Sequence, residues 1–324
     1  MRKVSKILIL CLILILIVSC GKSKDNKKIR IVLDWVPNTN HTGLYVAKDL
    51  GYFKEEGVDV EIVQPPEGST TALIGAGGAE FGISFQDTLA KSFAKENPVP
   101  VTAVAAILQH NTSGIISLKK KGIDSPQKLE GKKYATWEDD IEQAILKKLV
   151  TDNGGDFSKV KLIPYTVTNV VASLKTDIDA IWVYYAWDGI ATERAGLKTN
   201  FLKLRDYGKE LDYYSPVIIA NNDYLKANPE IAKKVLRAIK KGYEYAAKNP
   251  EESAKILVKN SPELDINLVT ASQKWISKEY QADAKEWGII DGNRWNRFYE
   301  WLYKNKAVER EIPKDFGYSN EYLK

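Results

Sequence analysis

Runs of β-branched residues alternate with segments of helical period between residues 29 and 182, and the alternation starts twice. Ile29-Arg30-Ile31-Val32-Leu33-Asp34 reads as a strand, followed by a helix through Leu44, Ala47, Lys48 and Leu50 that Gly51 closes. Val58 to Val63 is a second strand. Gly68-Ser69-Thr70-Thr71 opens a helix with hydroxyl caps, and Glu80-Phe81-Gly82-Ile83-Ser84 is a third strand, with Asp87 placed to cap the next helix. After Leu118 the pattern restarts: Ser125-Pro126 caps a short helix, Lys133-Tyr134-Ala135-Thr136 is a strand, Ile141 to Val150 is helical, and Lys161-Leu162-Ile163 and Asp179-Ala180-Ile181-Trp182 are strands. Repeated β-α-β order favours parallel pairing, so the expectation is an α/β protein with two α/β units.

Pro216-Val217-Ile218-Ile219-Ala220 reads as a strand returning to the first unit, and the chain beyond it is helical. Ile231, Val235, Ile239 and Tyr243 recur every four residues, and Trp295, Phe298, Tyr299 and Leu302 at spacings of three and four, which suits packing against a core better than chemistry. A chain that leaves one lobe, builds a second and comes back makes two crossovers, which form a hinge with a cleft between the lobes. The expected division is lobe 1 at 29–115, lobe 2 at 116–213, and lobe 1 again at 214–324.

The N-terminus constrains location. A basic start (Arg2, Lys3, Lys6) precedes an apolar run from Ile7 to Val18 and then Ser19-Cys20. The run is about a dozen residues, short of the roughly 20 that span a bilayer. Residues 1–19 therefore read as an export signal, and Ile17-Val18-Ser19-Cys20 resembles the bacterial lipobox, in which the cysteine becomes the acylated first residue. The alternative is a retained transmembrane anchor. Residues 20–28 are polar and aperiodic, as a tether would be. Cys11 and Cys20 are the only cysteines, so the mature body has no disulfide and no thiolate nucleophile. Without the three basic residues of the signal, 44 basic face 42 acidic residues, a balance that gives no reason to invoke nucleic acid. The expected location is the outer side of the cell membrane, held by lipid at Cys20.

Leu33-Asp34-Trp35-Val36-Pro37-Asn38-Thr39-Asn40-His41-Thr42-Gly43-Leu44-Tyr45-Val46-Ala47, with Gly51-Tyr52-Phe53 and Glu56-Gly57-Val58-Asp59-Val60, resembles the start of the family of bacterial thiamine-pyrimidine-precursor binding proteins and eukaryotic pyrimidine-precursor synthases. Asp34 to Gly43 is the specific stretch. Leu73-Ile74-Gly75, Phe81-Gly82-Ile83, Leu129 to Lys133 and Asp179-Ala180-Ile181 also occur across the broader sulfonate, nitrate and taurine binders. The resemblance implies a type II periplasmic-binding-protein fold, with ligand between two closing lobes, and ABC permease and ATPase subunits as partners. The synthases carry, within the segment here Gly82 to Thr88, a lysine that holds pyridoxal phosphate and a histidine consumed as substrate. Those positions here are Ser84 and Thr88, which can form neither a Schiff base nor an imidazole. The synthases' cysteine-rich motif is missing too, so no enzyme activity and no cofactor are expected.

Anionic solutes are usually held by helix N-termini, hydroxyls and an arginine fork. No arginine lies between Ile31 and Glu193; a sulfonate-type binder would have to use Arg194 or Arg205. The cleft segments are instead aromatic and amide-rich: Trp35 and Asn38, Phe85 and Gln86, Trp137 and Glu138, then Trp182 to Asp188. Aromatic faces stack on a flat heterocycle, and Asp188 or Glu138 can accept from an exocyclic amine and a protonated ring nitrogen together. Candidate ligand contacts are Trp35, Asn38, His41, Ser69, Thr70, Ser84, Gln86, Trp137, Glu138, Tyr184, Tyr185, Trp187 and Asp188, with no metal ligand. Each has a structural alternative: Trp35 as core, Asn38 as a turn residue, His41 as a hydrogen-bonded brace, Ser69 and Thr70 as an ordinary helix cap, one or two of Tyr184, Tyr185 and Trp187 as packing. The expected cargo is a formylaminopyrimidine or hydroxymethylpyrimidine; the alternatives are a riboflavin-like heterocycle, a taurine-type anion, or the disfavoured synthase.

Overall fold

The computed structural model describes residues 28–65, 67–165 and 167–324. The signal, Cys20 and all of the tether but Lys28 lie outside the described residues. Among the described residues no helix is long and apolar enough to cross a membrane.

Among the described residues ten strands form two five-stranded sheets: β1 Ile29–Val32, β2 Val60–Val63, β3 Phe81–Ser84, β4 Val101–Ala106, β5 Ser113–Leu118, β6 Lys133–Thr136, β7 Lys161–Pro164, β8 Ala180–Tyr184, β9 Thr199–Lys203 and β10 Val217–Asn221. The orders are β2-β1-β3-β10-β4 and β7-β6-β8-β5-β9. In each, three strands run parallel, as the β-α-β order predicts. The fourth in each runs antiparallel to both neighbours, β10 in one and β5 in the other. Each of these two strands follows a crossover from the opposite sheet, so it enters from the other end.

Three strands escape the sequence pattern. β4 is mostly alanine and valine, β5 contains Ser113 and Gly114, and β9 begins Thr199-Asn200, so none shows a β-branched run or strict alternation. The first passage between sheets spans 107–112, because all of Ser113–Leu118 pairs within the second sheet; it therefore precedes the 115/116 boundary read from the sequence. The second passage spans 204–216.

The C-terminal helices cover the first lobe. On Pro229–Lys248, Val235, Ile239 and Tyr243 are fully buried, but Ile231 in the first turn is exposed, so the period of four starts one turn later than the sequence suggests. Trp295, Phe298, Tyr299 and Leu302 of Gly292–Lys304 are buried, Phe298 stacking on Tyr213 at 4.0 Å. These aromatics pack, as helix-period aromatics do. Helix Pro229–Lys248 lies so close to helix Thr42–Asp49 that a Cβ on Gly242 would fall 2.1 Å from the Gly43 carbonyl oxygen.

Candidate functional site

Where β1 ends, the chain turns through Asp34 to His41 at the carboxyl end of the sheet, where open α/β sheets collect ligands. Asn38 caps the tight turn Thr39–His41, its side-chain oxygen accepting from the Asn40 amide at 2.9 Å and its side-chain NH2 donating to the Val36 carbonyl at 3.1 Å. His41 is fully buried. Its Nδ1 accepts from the Asn38 amide at 3.2 Å, so the hydrogen sits on Nε2, which donates to Asp34 at 2.7 Å. His41 thus braces the turn and is no part of the cavity wall. The bracing leaves Trp35 projecting, 60% exposed.

The opposing wall comes from β8 and the single π-helical turn Tyr185–Gly189 that follows it. Strand alternation puts Trp182 and Tyr184 on one face. The wider turn then presents Trp187 and Asp188 together. Between these walls lies a cavity of about 320 Å³, which Asp34, Trp35, Asn38, Asn40 and Phe85 line from the first lobe and Trp137, Val167, Thr168, Trp182, Val183, Tyr184, Trp187 and Asp188 from the second. Phe85 and Tyr184 stack across the lobes at 5.7 Å, and Trp137 tilts against Trp182 at 5.7 Å.

Among the described residues, two carboxyls and no cationic side chain line this cavity. The Asp188 carboxyl is half-buried in the cavity wall, and desolvation pushes its pKa up to about 6, with the Tyr184 backbone opposing through a hydrogen bond. A second cavity of about 240 Å³ shares Phe85, Trp137, Trp182 and Tyr184 with the first and adds Asp87, Thr88, Lys91, Asp139 and Glu142. Lys91 and Asp139 pair there across the lobes. Burial raises the Asp87 carboxyl above its ordinary range. Asp87 does not cap its helix, which starts at Gln86; its carboxylate accepts from the Thr88 amide inside the first turn.

Of the expected contacts, the structure brings Trp35, Asn38, Trp137, Tyr184, Trp187 and Asp188 to one cavity. The other seven are committed elsewhere. Ser69 caps helix Thr70–Gly75, the Thr70 hydroxyl donates to the Leu33 carbonyl at 2.9 Å, and Ser84 shares a hydrogen bond with Thr71 at 2.8 Å. Gln86 is fully buried, donating to the Trp295 carbonyl at 2.9 Å and accepting from the Tyr214 amide at 2.8 Å. Glu138 sits at a positive-φ turn outside the wall, and the nearby carboxylate that organises Trp137 is Glu142, which accepts from its amide at 3.0 Å. Tyr185 packs on Phe201 and Trp275 and donates to Glu193. Among residues outside the expected set, Phe85 and Trp182 carried an aromatic signal and Asp34 and Asn40 lie in the specific Asp34–Gly43 stretch, whereas nothing in the sequence marks Val167 or Thr168. Arg205 is paired with Glu279 at 2.9 Å, and neither it nor Arg194 lines either of these two cavities.

A model of the family described as NMT1/THI5 like matches residues 38–253. The chain is 27% identical over 327 residues to a formylaminopyrimidine-binding protein of Halalkalibacterium halodurans, covering 97% of this chain and 98% of that protein. It is 29% identical over 314 residues to a 4-amino-5-hydroxymethyl-2-methylpyrimidine phosphate synthase of Saccharomyces cerevisiae, covering 91% and 88%. Among solved structures it superposes on the alkanesulfonate-binding protein SsuA of Xanthomonas axonopodis pv. citri bound to MOPS with a TM-score of 0.68 at 13% identity, covering 90% of this chain and 98% of that one. The SsuA of Escherichia coli gives 0.67 at 15%, covering 88% and 89%. At such identities the likeness is one of fold, the type II periplasmic-binding-protein fold.

Proposed function

From the premise that the chain belongs to the NMT1/THI5-like family, we propose that it is the lipid-anchored solute-binding component of an ABC importer, that its cargo is a thiamine pyrimidine precursor of the formylaminopyrimidine or hydroxymethylpyrimidine type, and that it performs no chemistry. One observation carries the reading: an inter-lobe cavity walled by aromatic faces, holding carboxyls and no cation. A flat aminopyrimidine stacks on such faces, and its edge of exocyclic amine and ring nitrogen matches one carboxyl at Asp188. The same wall disfavours a sulfonate, which would meet Asp34 and Asp188 with no counter-charge. Contacts from both lobes would favour the closed form that a permease recognises. Between kinship with binders and with synthases, Ser84 supports binding: it is a hydroxyl bonded to Thr71 at the position where the resemblance puts the synthases' Schiff-base lysine.

Calorimetric titration tests the cargo. Formylaminomethyl- and hydroxymethyl-pyrimidines should bind while taurine and riboflavin do not, and Trp35→Ala should weaken binding by about 1 kcal/mol, roughly fivefold, with the melting temperature unchanged. Binding of taurine alone would overturn the pyrimidine assignment. The proposed anchor has its own test: Cys20→Ala should abolish palmitate incorporation and release the protein from the membrane fraction, and retention of the variant would return the N-terminus to a transmembrane reading.

A further inference from the structure

Three buried side-chain polar atoms have no hydrogen-bond partner among the described residues: Thr42 Oγ1, Ser253 Oγ and Trp182 Nε1. Of these, only Trp182 lines a cavity, and it lines both. The residue is 4% exposed and its N–H is closed off from water, so an acceptor meets it only as the aromatic wall shifts around a ligand. The other fully buried indoles behave differently: Trp287 donates to the Ile107 carbonyl at 3.2 Å and Trp295 to the Phe316 carbonyl at 2.9 Å. A buried donor without an acceptor is costly, and natural folds tolerate it where a further group completes it. Resting on the pyrimidine reading above, we propose that Trp182 is a specificity residue whose indole N–H donates to an uncharged oxygen on the ligand's side arm, a formamide carbonyl or a hydroxyl.

The polarity follows from the indole, which can only donate. An ammonium arm offers no lone pair to it. An anionic arm would accept but would face Asp34 and Asp188 in the first cavity, while the one cation of the second, Lys91, is engaged by Asp139. A neutral oxygen satisfies the donor without either conflict. Trp182 also stands with Phe85, Trp137 and Tyr184 in the wall common to both cavities, so a ring stacked in the larger one can direct a short arm toward the smaller.

The test compares a formylaminomethyl-pyrimidine with 4-amino-2,5-dimethylpyrimidine, which keeps the ring edge and lacks the oxygen. Trp182→Phe keeps an aromatic face and removes the N–H; the ratio of the two affinities should fall roughly three- to tenfold. In ¹⁵N-labelled unaltered protein, one indole N–H resonance should move downfield with the formylamino ligand and stay put with the dimethyl ligand, a readout that survives if the variant fails to fold. An unchanged ratio, or no indole resonance that distinguishes the ligands, would overturn the role of Trp182 while leaving the pyrimidine reading intact. Absence of binding by either pyrimidine to the unaltered protein would remove that reading and this one with it.

Discussion

Replacing Asp188 by Ala is expected to cost about 2–3 kcal/mol of ligand affinity, roughly thirty- to a hundred-and-fiftyfold, because it removes the cavity carboxyl that we propose pairs with the pyrimidine edge. Asp188→Asn separates charge from shape. An amide can still donate to the ring nitrogen and accept from the exocyclic amine, so part of the affinity should survive, but the pH dependence should not. Desolvation raises the carboxyl's pKa to about 6 in the unaltered protein, and in the proposed complex it and the ring nitrogen would share one proton. Above about pH 6 that proton must be taken up from solution, so affinity should fall by up to tenfold per pH unit, and Asp188→Asn should flatten this slope. A slope that persists in the variant would place the titrating carboxyl elsewhere.

The same desolvation affects the unliganded fold in the opposite direction. The folded pKa of Asp188 is raised from 3.8 to about 6, so the folded state holds a proton that the unfolded state has released. Its stability penalty is absent below about pH 4, builds between pH 4 and 6, and is complete above. Two pKa units at about 1.4 kcal/mol each set an upper bound near 3 kcal/mol, and the carboxyl's partial exposure to the cavity brings the expectation to about 2. Asp188→Asn should therefore raise the melting temperature at pH 7.5 by roughly 3–4 °C and leave it unchanged at pH 4. A residue that weakens the empty protein and strengthens the complex is what a binding site requires and a structural aspartate does not.

The place of Asp188 in the cavity was legible in the sequence because a carboxylate directly after the aromatics Trp182 to Trp187 has few structural reasons to be there. Trp35 stood out for a similar reason, at a strand's end beside Pro37. Gln86, His41 and Ser84 read equally well as ligand contacts and proved to be internal braces. Their partners explain why: Gln86 bonds to Trp295 and Tyr214, 209 and 128 residues away, and no local pattern announces such a pairing. The parallel strands could be read because β-branched runs such as Ile29–Val32 carry their own signal. The antiparallel entry of β5 and β10 could not, since strand direction is set by where the crossovers re-enter and not by the residues that pair.

Gly242→Ala should destabilise the protein by about 3 kcal/mol and weaken ligand binding, although Gly242 lines no cavity. Propensity alone says the reverse, since alanine in a helix interior is about 1 kcal/mol better than glycine. Here the added Cβ would lie 2.1 Å from the Gly43 carbonyl oxygen and 3.0 Å from the Ala47 Cβ, and the first of these is backbone that no rotamer change can move. The neighbouring Gly43 is equally confined, its own Cβ meeting the Tyr243 ring at 2.3 Å. Relief requires helix Thr42–Asp49 to shift, an overpacking cost at or beyond the usual 1–3 kcal/mol. That shift would not stay local. The Tyr243 hydroxyl donates to the Asn40 carbonyl at 2.6 Å and the Tyr280 hydroxyl to the Thr39 carbonyl at 2.6 Å, so the packed helices hold the turn that carries Trp35 and Asn38. Thermal unfolding and titration of Gly242→Ala beside Lys241→Ala, which removes surface contacts alone (ion pairs with Glu55 at 3.1 Å and Glu56 at 3.9 Å and a cation–π contact with Tyr52), would separate the two accounts. A Gly242→Ala protein more stable than its parent would mean that the helices part without cost; a destabilised one with weakened binding would show that the aromatic cleft is positioned by glycine contacts on the far side of the lobe.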